Sequence, residues 1–283
     1  MAKIELRNVS FSYTKSVKVA KKALDDISLT IEGGRITGLI GHTGCGKSTL
    51  VQMINGLLRA DEGKILIDDV DIWENPKKIS EIRFKAGLVM QYPEYQLFAE
   101  TVYDDIAFGP KNMGITGDEL DKRIKDAAKF SGLSEELFEK SPFELSGGQK
   151  RRAALAGVIA MKPEILILDE PAAGLDPSGR RDILGGIKRF SRESGTTVII
   201  VSHSMEDMAM YCDDVIVMSE AKILMHEECA KIFSKEELLT SVGLDVPQIT
   251  RVVSCLKKYG VDVGNDIFSV EYARKRISGL FNQ

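Results

Sequence analysis

The stretch Gly41-His42-Thr43-Gly44-Cys45-Gly46-Lys47-Ser48-Thr49 constrains this chain more than any other. It follows the pattern G-x-x-x-x-G-K-S. The run before it, Arg35 to Ile40, is short, apolar and β-branched, and reads as a buried strand. The run after it, Ser48 to Leu58, carries apolar residues at Leu50, Val51, Ile54, Leu57 and Leu58, the spacing of one helix face. Strand, glycine-rich loop and helix in this order turn a text pattern into a mechanism. Gly41, Gly44 and Gly46 let the backbone curl until several N–H groups point at one anion, and the helix N-terminus behind them adds positive partial charge. Lys47 is then placed to reach β- and γ-phosphates, and the Ser48 hydroxyl to ligate Mg²⁺. The plainer alternative is a glycine-rich turn between a core strand and a core helix, which leaves the Lys-Ser pair unexplained. His42 and Cys45 occupy variable positions of the loop and carry no side-chain chemistry in this reading.

The formal net charge is -4, which argues against a general nucleic-acid binder. Four scattered cysteines, Cys45, Cys212, Cys229 and Cys255, show neither C-x-x-C pairing nor Cys/His ligand spacing, so a reducing cytosol is the simpler setting. No apolar run approaches the roughly 18 residues that span a bilayer, and Met1 to Arg7 alternates instead of reading as a signal peptide. Work at a membrane would therefore need a membrane-bound partner.

Along the chain, Ile4 to Tyr13 and Leu24 to Ile31 alternate as half-buried strands, with a basic loop from Lys15 to Lys22 between them. Tyr13, where strand gives way to loop, could stack on a nucleobase or be an ordinary rim tyrosine. Gly63 to Asp69 is a strand and turn, and Phe84 to Met90 contains a buried strand that ends at Gln91. Tyr92 to Met113 is too apolar for a plain solvent loop. Gly117 to Gly132 and Ser134 to Lys140 read as helices, the second with a capped start at Ser134. Ser146-Gly147-Gly148-Gln149 opens a further helix whose early turns hold Lys150, Arg151 and Arg152, a costly place for cations unless an anion arrives. Ile165 to Leu168 is a fully apolar strand ending in Asp169-Glu170, and Val198 to Val201 is another, followed by Ser202 and His203. Asp214 to Met218 and Lys222 to Met225 read as a last strand pair. From about Ala230, short helical pieces broken by glycines suggest a small appendage.

Buried strands separated by helices imply a parallel sheet, and ligands in such folds bind at the C-terminal ends of the strands. Gly41, Gln91, Asp169-Glu170 and His203 all follow strand ends. Asp169 fits the second magnesium contact of P-loop hydrolases, and Glu170 the group that polarises an attacking water. His203 can hydrogen-bond the γ-phosphate, and Gln91 the γ-phosphate or the metal's water shell. Ser146-Gly147-Gly148 is a second anion-binding helix start with no second phosphate in the same fold, so it would serve a neighbouring subunit.

Taken together, Gly41 to Thr49, Gln91, Leu145 to Gln149, Leu168-Asp169-Glu170, Ala173 to Asp176 and His203 resemble the ATP-binding cassette (ABC) ATPases in order and spacing. More narrowly, Gln91 to Phe98, Asp105 to Asn112 and Ser141 to Glu144 are similar to the ATPases of energy-coupling factor transporters. The resemblance implies an α/β fold: a P-loop NTPase domain of the ABC type over residues 1–228, with an antiparallel β subdomain and a helical subdomain at about 92–160. Residues 229–283 would be a C-terminal appendage and dimer contact. It also implies ATP and Mg²⁺ as ligands and ATP hydrolysis as the activity. Two cassettes would pack head to tail, each ATP lying between one chain's phosphate loop (Gly41, His42, Thr43, Gly44, Cys45, Gly46, Lys47, Ser48, Thr49) and the other's Ser146, Gly147, Gly148 and Gln149. Tyr13 would stack on adenine and Asp176 would lie at the dimer contact. Lys47, Gln91, Glu170 and His203 would be catalytic, and Ser48, Gln91 and Asp169 would hold the metal. A transmembrane coupling subunit would dock at the aromatic segment after Gln91, and a substrate-binding membrane subunit would recognise vitamins or transition-metal ions. The chain would then lie peripherally on the cytoplasmic side of the cell membrane.

Two departures from that family are visible. Ala172 replaces a common Ser or Thr, and Glu220-Ala221 lacks a glycine often found in the late turn. A soluble ABC ATPase of DNA repair or translation is the alternative. Repair members insert long coiled coils between Gln91 and Ser146, whereas about 55 residues without sustained heptads intervene here, and translation members carry two cassettes where this chain has one.

Overall fold

A computed structural model describes residues 1–14, 21–261, 263, 264, 267, 268 and 270–281; most of the basic loop expected at Lys15 to Lys22 lies outside the described residues. The strands are β1 (Ile4–Phe11), β2 (Leu24–Ile31), β3 (Ile36–Gly41), β4 (Glu62–Ile67), β5 (Val70–Asp71), β6 (Ala86–Val89), β7 (Ile165–Asp169), β8 (Thr197–Val201), β9 (Asp214–Ser219) and β10 (Lys222–Glu228). The helices are α1 (Lys47–Ile54), α2 (Ile79–Lys85), α3 (Val102–Asn112), α4 (Gly117–Ser131), α5 (Gly147–Ile159), α6 (Pro177–Ser194), α7 (Met205–Tyr211), α8 (Cys229–Phe233), α9 (Glu236–Ser241), α10 (Gln248–Lys258) and α11 (Val270–Phe281).

Six strands form one sheet in the order β10-β9-β3-β8-β7-β6, and four form an antiparallel sheet in the order β2-β1-β4-β5. In the larger sheet only β10 runs antiparallel to its neighbour. Its central strands are buried on both faces, which explains their unbroken apolar sequences. Ile165 and Ile167 of β7, Ile199 and Val201 of β8, and Ile216 and Met218 of β9 face one core, shared with α1 and the antiparallel sheet. The alternate residues Leu166, Leu168, Val198, Ile200, Val215 and Val217 face the other core, shared with α3 to α7. The expected fold class is the observed one.

Helix α1 ends at Ile54, earlier than its apolar spacing suggests. Gly56 takes φ 75° just beyond it, and Leu57 is exposed. The segment Tyr92 to Met113 contains a 3₁₀ turn at Pro93–Gln96 and the helix α3, opened by Thr101, whose side chain accepts the Asp104 N–H. The Gly109-Pro110 pair hid this helix, because Pro110 sits in its last turn, where the missing N–H costs a single bond. The helix expected at Ser134 to Lys140 shrinks to a 3₁₀ turn, Glu135–Leu137, and Ser134 makes no side-chain cap. The segment after residue 228 does not pack separately at its start. Cys229, Ile232, Phe233, Leu239, Leu244 and Val246 belong to the core of the large sheet. Among the described residues of this segment, only Val253, Val263, Ile267 and Ala273 form a small buried cluster of their own.

The turn joining β9 to β10 holds Glu220 and Ala221 at φ 49° and 64°, the left-handed region, as a two-residue hairpin turn requires. Side chains there are disfavoured by about 1–2 kcal/mol each. Replacing Ala221 by Gly is therefore expected to stabilise the protein by about 0.5–1 kcal/mol, after the greater unfolded-state freedom of glycine is subtracted. Thermal unfolding would show this as a rise of about 1–3 °C; an unchanged or lower midpoint would remove the strain assigned to this turn.

Candidate functional site

A cleft of about 480 Å³ opens at the C-terminal ends of the parallel strands. Its walls include Tyr13, Thr43, Gly44, Gly46, Lys47, Ser48 and Thr49 from the first part of the chain, and Gln91, Asp169, Glu170 and His203 from the ends of β6, β7 and β8. A larger recess of about 650 Å³ lies elsewhere, between the chain start, α4 and α6, and contains none of these groups.

Gly46 makes the loop possible. Its φ of 107° suits only glycine, and a Cβ there would lie 2.3 Å from the Ala23 carbonyl oxygen. It precedes α1 without a side-chain cap, so the first N–H groups of the helix remain directed at the cleft. Lys47 is buried, and its Nζ donates to the carbonyl oxygens of Gly41 at 2.7 Å and His42 at 3.0 Å, which holds the ammonium across the loop. Ser48 Oγ donates to Asp169 Oδ2 at 3.0 Å, bringing a hydroxyl and a carboxylate oxygen together. Hard oxygen donors of this kind suit a magnesium ion that keeps most of its own water, so the residues fit the metal the sequence implies. The Tyr13 hydroxyl shares a hydrogen bond with Thr49 Oγ1 at 3.0 Å, while the ring stands 63% exposed against the edge of Phe11. That exposure leaves a flat aromatic face open beside the loop.

Glu170 follows β7 in the left-handed region, at φ 53°, with its N–H bonded to the Val201 carbonyl. Oε1 is buried without a hydrogen-bond partner, and the side chain is only 14% exposed. Burial, helped by the neighbouring Asp169 charge, pushes its pKa up to about 7. Burial also raises the Asp169 carboxyl, against the opposing pull of the Ser48 hydrogen bond and Lys47. His203 Nε2 lies 3.6 Å from Glu170 Oε1, but desolvation and Lys47 lower the imidazole pKa below its usual value. The pair is thus a contact with a neutral ring at pH 7. A buried carboxylate with one open oxygen can accept a proton from water.

Not every expected residue lines the cleft. Gly41 is buried, and the Cys45 side chain belongs to the core beneath the loop, so these two can offer a ligand only backbone groups. His42 faces an adjoining recess with Lys21 and Lys22. Ser146, Gly147, Gly148, Gln149 and Asp176 are not among the lining residues. Ser146 and Gln149 form a reciprocal capping box at the start of α5, and Asp176 Oδ1 caps α6 through the Gly179 N–H. A Cβ on Gly147 would meet nothing within 4 Å, so no group of this chain requires glycine there. Lys21 and Lys22 also line the cleft and were missed as site residues; the basic run they close was the available signal.

The basic start of α5 needs no visiting anion, contrary to the sequence reading. Arg151 pairs with Glu94, Arg152 with Asp182 and the carbonyls of Ser131 and Gly132, and the Lys150 ammonium lies 5.9 Å from the Phe143 ring centre.

Residues 24–173 match the ABC transporter family, a span from β2 through the phosphate loop to the turn after Glu170. Relatives described as energy-coupling factor transporter ATP-binding protein EcfA2 match nearly end to end. That of Clostridium tetani is 52% identical, over 99% of this chain and 97% of its own. The chain belongs to this family. A second member, from Clostridium acetobutylicum, is 51% identical over 97% of this chain and 96% of its own. Among solved structures, cbiO1 of Clostridium perfringens, described as part of the ABC transporter complex cbiONQ, superposes with a TM-score of 0.76 at 37% identity, over 89% of this chain and 98% of its own. An ATP-binding cassette described as dimeric, in a post-hydrolysis state with ADP and Pi, superposes with a TM-score of 0.72 at 27% identity, over 80% of this chain and 98% of its own. Membership in the family makes this a nucleotide-binding ATPase fold and disfavours the repair or translation alternative.

The raised pKa of Glu170 has a consequence for stability. Between pH 4.5, its ordinary value, and about 7, the folded protein keeps a proton that the unfolded chain releases, so stability falls as pH rises through this window. The nucleotide-free Glu170→Gln variant is expected to be more stable than the parent above pH 7, by on the order of 1–3 kcal/mol, with the gap closing toward pH 4.5. Parallel thermal melts at pH 5 and pH 8 check this; an equal gap at both values would place the charge penalty elsewhere.

Proposed function

We propose that this chain is the ATP-binding and ATP-hydrolysing subunit of an energy-coupling factor importer for vitamins or transition-metal ions. In this reading it works as one of two cassettes packed head to tail. One observation carries the reading: Lys47, Ser48, Gln91, Asp169, Glu170 and His203 meet in one cleft, while Ser146 to Gln149 of the same chain lie outside it. Half of an ATP site faces its own strand ends, and the other half faces outward.

The nucleotide-binding domain in this reading spans residues 1–228 together with the segment through Val246 that packs on its core, with the helical part at about 92–160, and the residues beyond add to the dimer contact. The loop N–H groups and Lys47 hold the β- and γ-phosphates. Tyr13 stacks on adenine. Ser48, Asp169 and Gln91 would hold Mg²⁺, directly or through water, and the ion would neutralise phosphate charge. Glu170 accepts a proton from the attacking water through its open oxygen, and His203 and Gln91 hydrogen-bond the γ-phosphate. Ser146, Gly147, Gly148 and Gln149 close over the neighbour's ATP, and Asp176 lies at the contact between the two chains. Closure with ATP and reopening after product release drive the transport step.

The membrane attachment rests on aromatic surface. Tyr92, Tyr95, Phe98 and Phe108 are half or more exposed within one short segment, and Phe98 packs edge-on against Phe108 at 4.9 Å between ring centres. Exposed aromatics in such a group mark an interaction site. Among the described residues no helix is long and apolar enough to cross a membrane. We therefore assign the chain to the cytoplasmic face of the membrane, held by a transmembrane coupling subunit beside a substrate-binding membrane subunit, with no nucleic acid involved.

Glu170→Gln is expected to bind MgATP with near-parental affinity and to lose turnover by about 100-fold or more, trapping the closed pair. Steady-state hydrolysis and nucleotide titration test this, and hydrolysis at the parental rate would reject the role given to Glu170. Tyr95→Ala and Phe98→Ala should leave nucleotide affinity unchanged but reduce recovery of the membrane partner in co-purification from detergent. Full recovery with both variants would remove this surface from the docking site.

A further inference from the structure

Arg151 stands in α5, five residues after Ser146, and is the one arginine among the buried charged residues of the described chain. Its Nε donates to Glu94 Oε2 at 3.2 Å and its Nη2 to Glu94 Oε1 at 2.9 Å, a two-pronged pairing of guanidinium and carboxylate. Its Nη1 donates to the carbonyl oxygen of Ala173. One guanidinium thus joins three segments. Glu94 lies three residues after Gln91, in the 3₁₀ turn Pro93–Gln96 that carries the exposed Tyr95. Ala173 lies three residues after Glu170 and returns its own N–H to the Glu170 carbonyl at 3.2 Å. The turn that sets the left-handed Glu170 backbone is closed from inside by that bond and from outside by Arg151. Neither Arg151 nor Glu94 lines the nucleotide cleft.

We propose that Arg151 is a positioning residue for hydrolysis: it fixes the Glu170 turn through the Ala173 carbonyl and ties it to the Glu94 segment. A displacement of that segment is thereby passed to the carboxylate that faces the attacking water. The fork geometry is essential, because one planar cation serves two acceptors on different segments at once. A lysine at this position presents its donors from a single nitrogen and cannot reproduce the two-pronged Glu94 pairing together with the Ala173 bond. The proposal rests on the role given above to Glu170, and the test separates the two.

Arg151→Lys, Glu94→Gln, the exchange Glu94→Arg with Arg151→Glu, and Glu170→Gln are compared in the full chain purified with its co-purifying partners. ATP affinity, kcat and the melting midpoint are measured for each. Arg151→Lys is expected to keep the ATP dissociation constant within about 2-fold and to lower kcat about 10-fold or more, the effect of losing one charge-assisted hydrogen bond. Glu94→Gln should lower kcat in the same direction. The exchanged pair regains the ion pair but offers no donor to Ala173, so its melting midpoint should recover while kcat stays low. Parental kcat in Arg151→Lys, with Glu170→Gln inactive, would overturn the proposal and leave the Glu170 reading standing. Recovery of kcat together with stability in the exchanged pair would overturn it as well, by reducing Arg151 to a packing role. Parental turnover in Glu170→Gln would remove the reading on which the proposal stands.

Discussion

A sheet buried on both faces leaves polar chemistry only one place to go. In β7, β8 and β9 the apolar side chains enter one core or the other in turn, so an unpaired charge in mid-strand would lie in a medium where its desolvation could not be recovered, and the one buried carboxylate there, Asp214 at the start of β9, is paired with Arg35 and His226. Polar residues therefore collect where the strands stop. Asp169, Glu170 and His203 stand at the C-terminal ends of β7 and β8, and the phosphate loop leaves the central strand β3, which is flanked by β8 and β9. The cleft follows from the topology: parallel neighbours in register must release their loops along the same edge.

Holding those loops in place requires conformations that the sequence tolerates only at chosen positions. Gly46 passes within reach of the Ala23 carbonyl, where no Cβ fits. Glu170 adopts a left-handed backbone without being glycine, and its open oxygen is buried beside another acid. Such strain persists where the surroundings over-determine it. Here the determinants are the Glu170 N–H bond to Val201, the Ala173 N–H bond back to Glu170, and the Arg151 guanidinium beyond. The same carboxylate whose burial weakens the folded chain at neutral pH is the one to which we assign proton transfer from water.

Much of this was legible in the sequence because the strongest signals were local. The glycine spacing before Lys47-Ser48, the unbroken apolar runs of β7 and β8, and the acids and histidine that follow them needed no partner to be recognised. Signals that depended on distant partners were misread. The cations at the start of α5 looked unpaired because Glu94 and Asp182 are remote in sequence, 57 and 30 residues away. Helix α3 was hidden by a proline that its last turn accommodates, and the break placed after residue 228 missed Ile232 and Phe233, which fill the main core from outside the cassette's motifs. Lys21 and Lys22 were seen as loop charge because nothing in a lone sequence says which wall a loop will form.

Gly147 carries the remaining lesson. It begins a helix with ordinary backbone angles and open space where a side chain would stand, so this chain alone gains nothing from glycine there. Glycine in place of alanine weakens a helix by up to about 1 kcal/mol. A directed-evolution screen that rewarded heat resistance in the solitary polypeptide would accordingly favour enlarging this residue, and would fill the space that the proposed head-to-tail pairing gives to a neighbour's triphosphate.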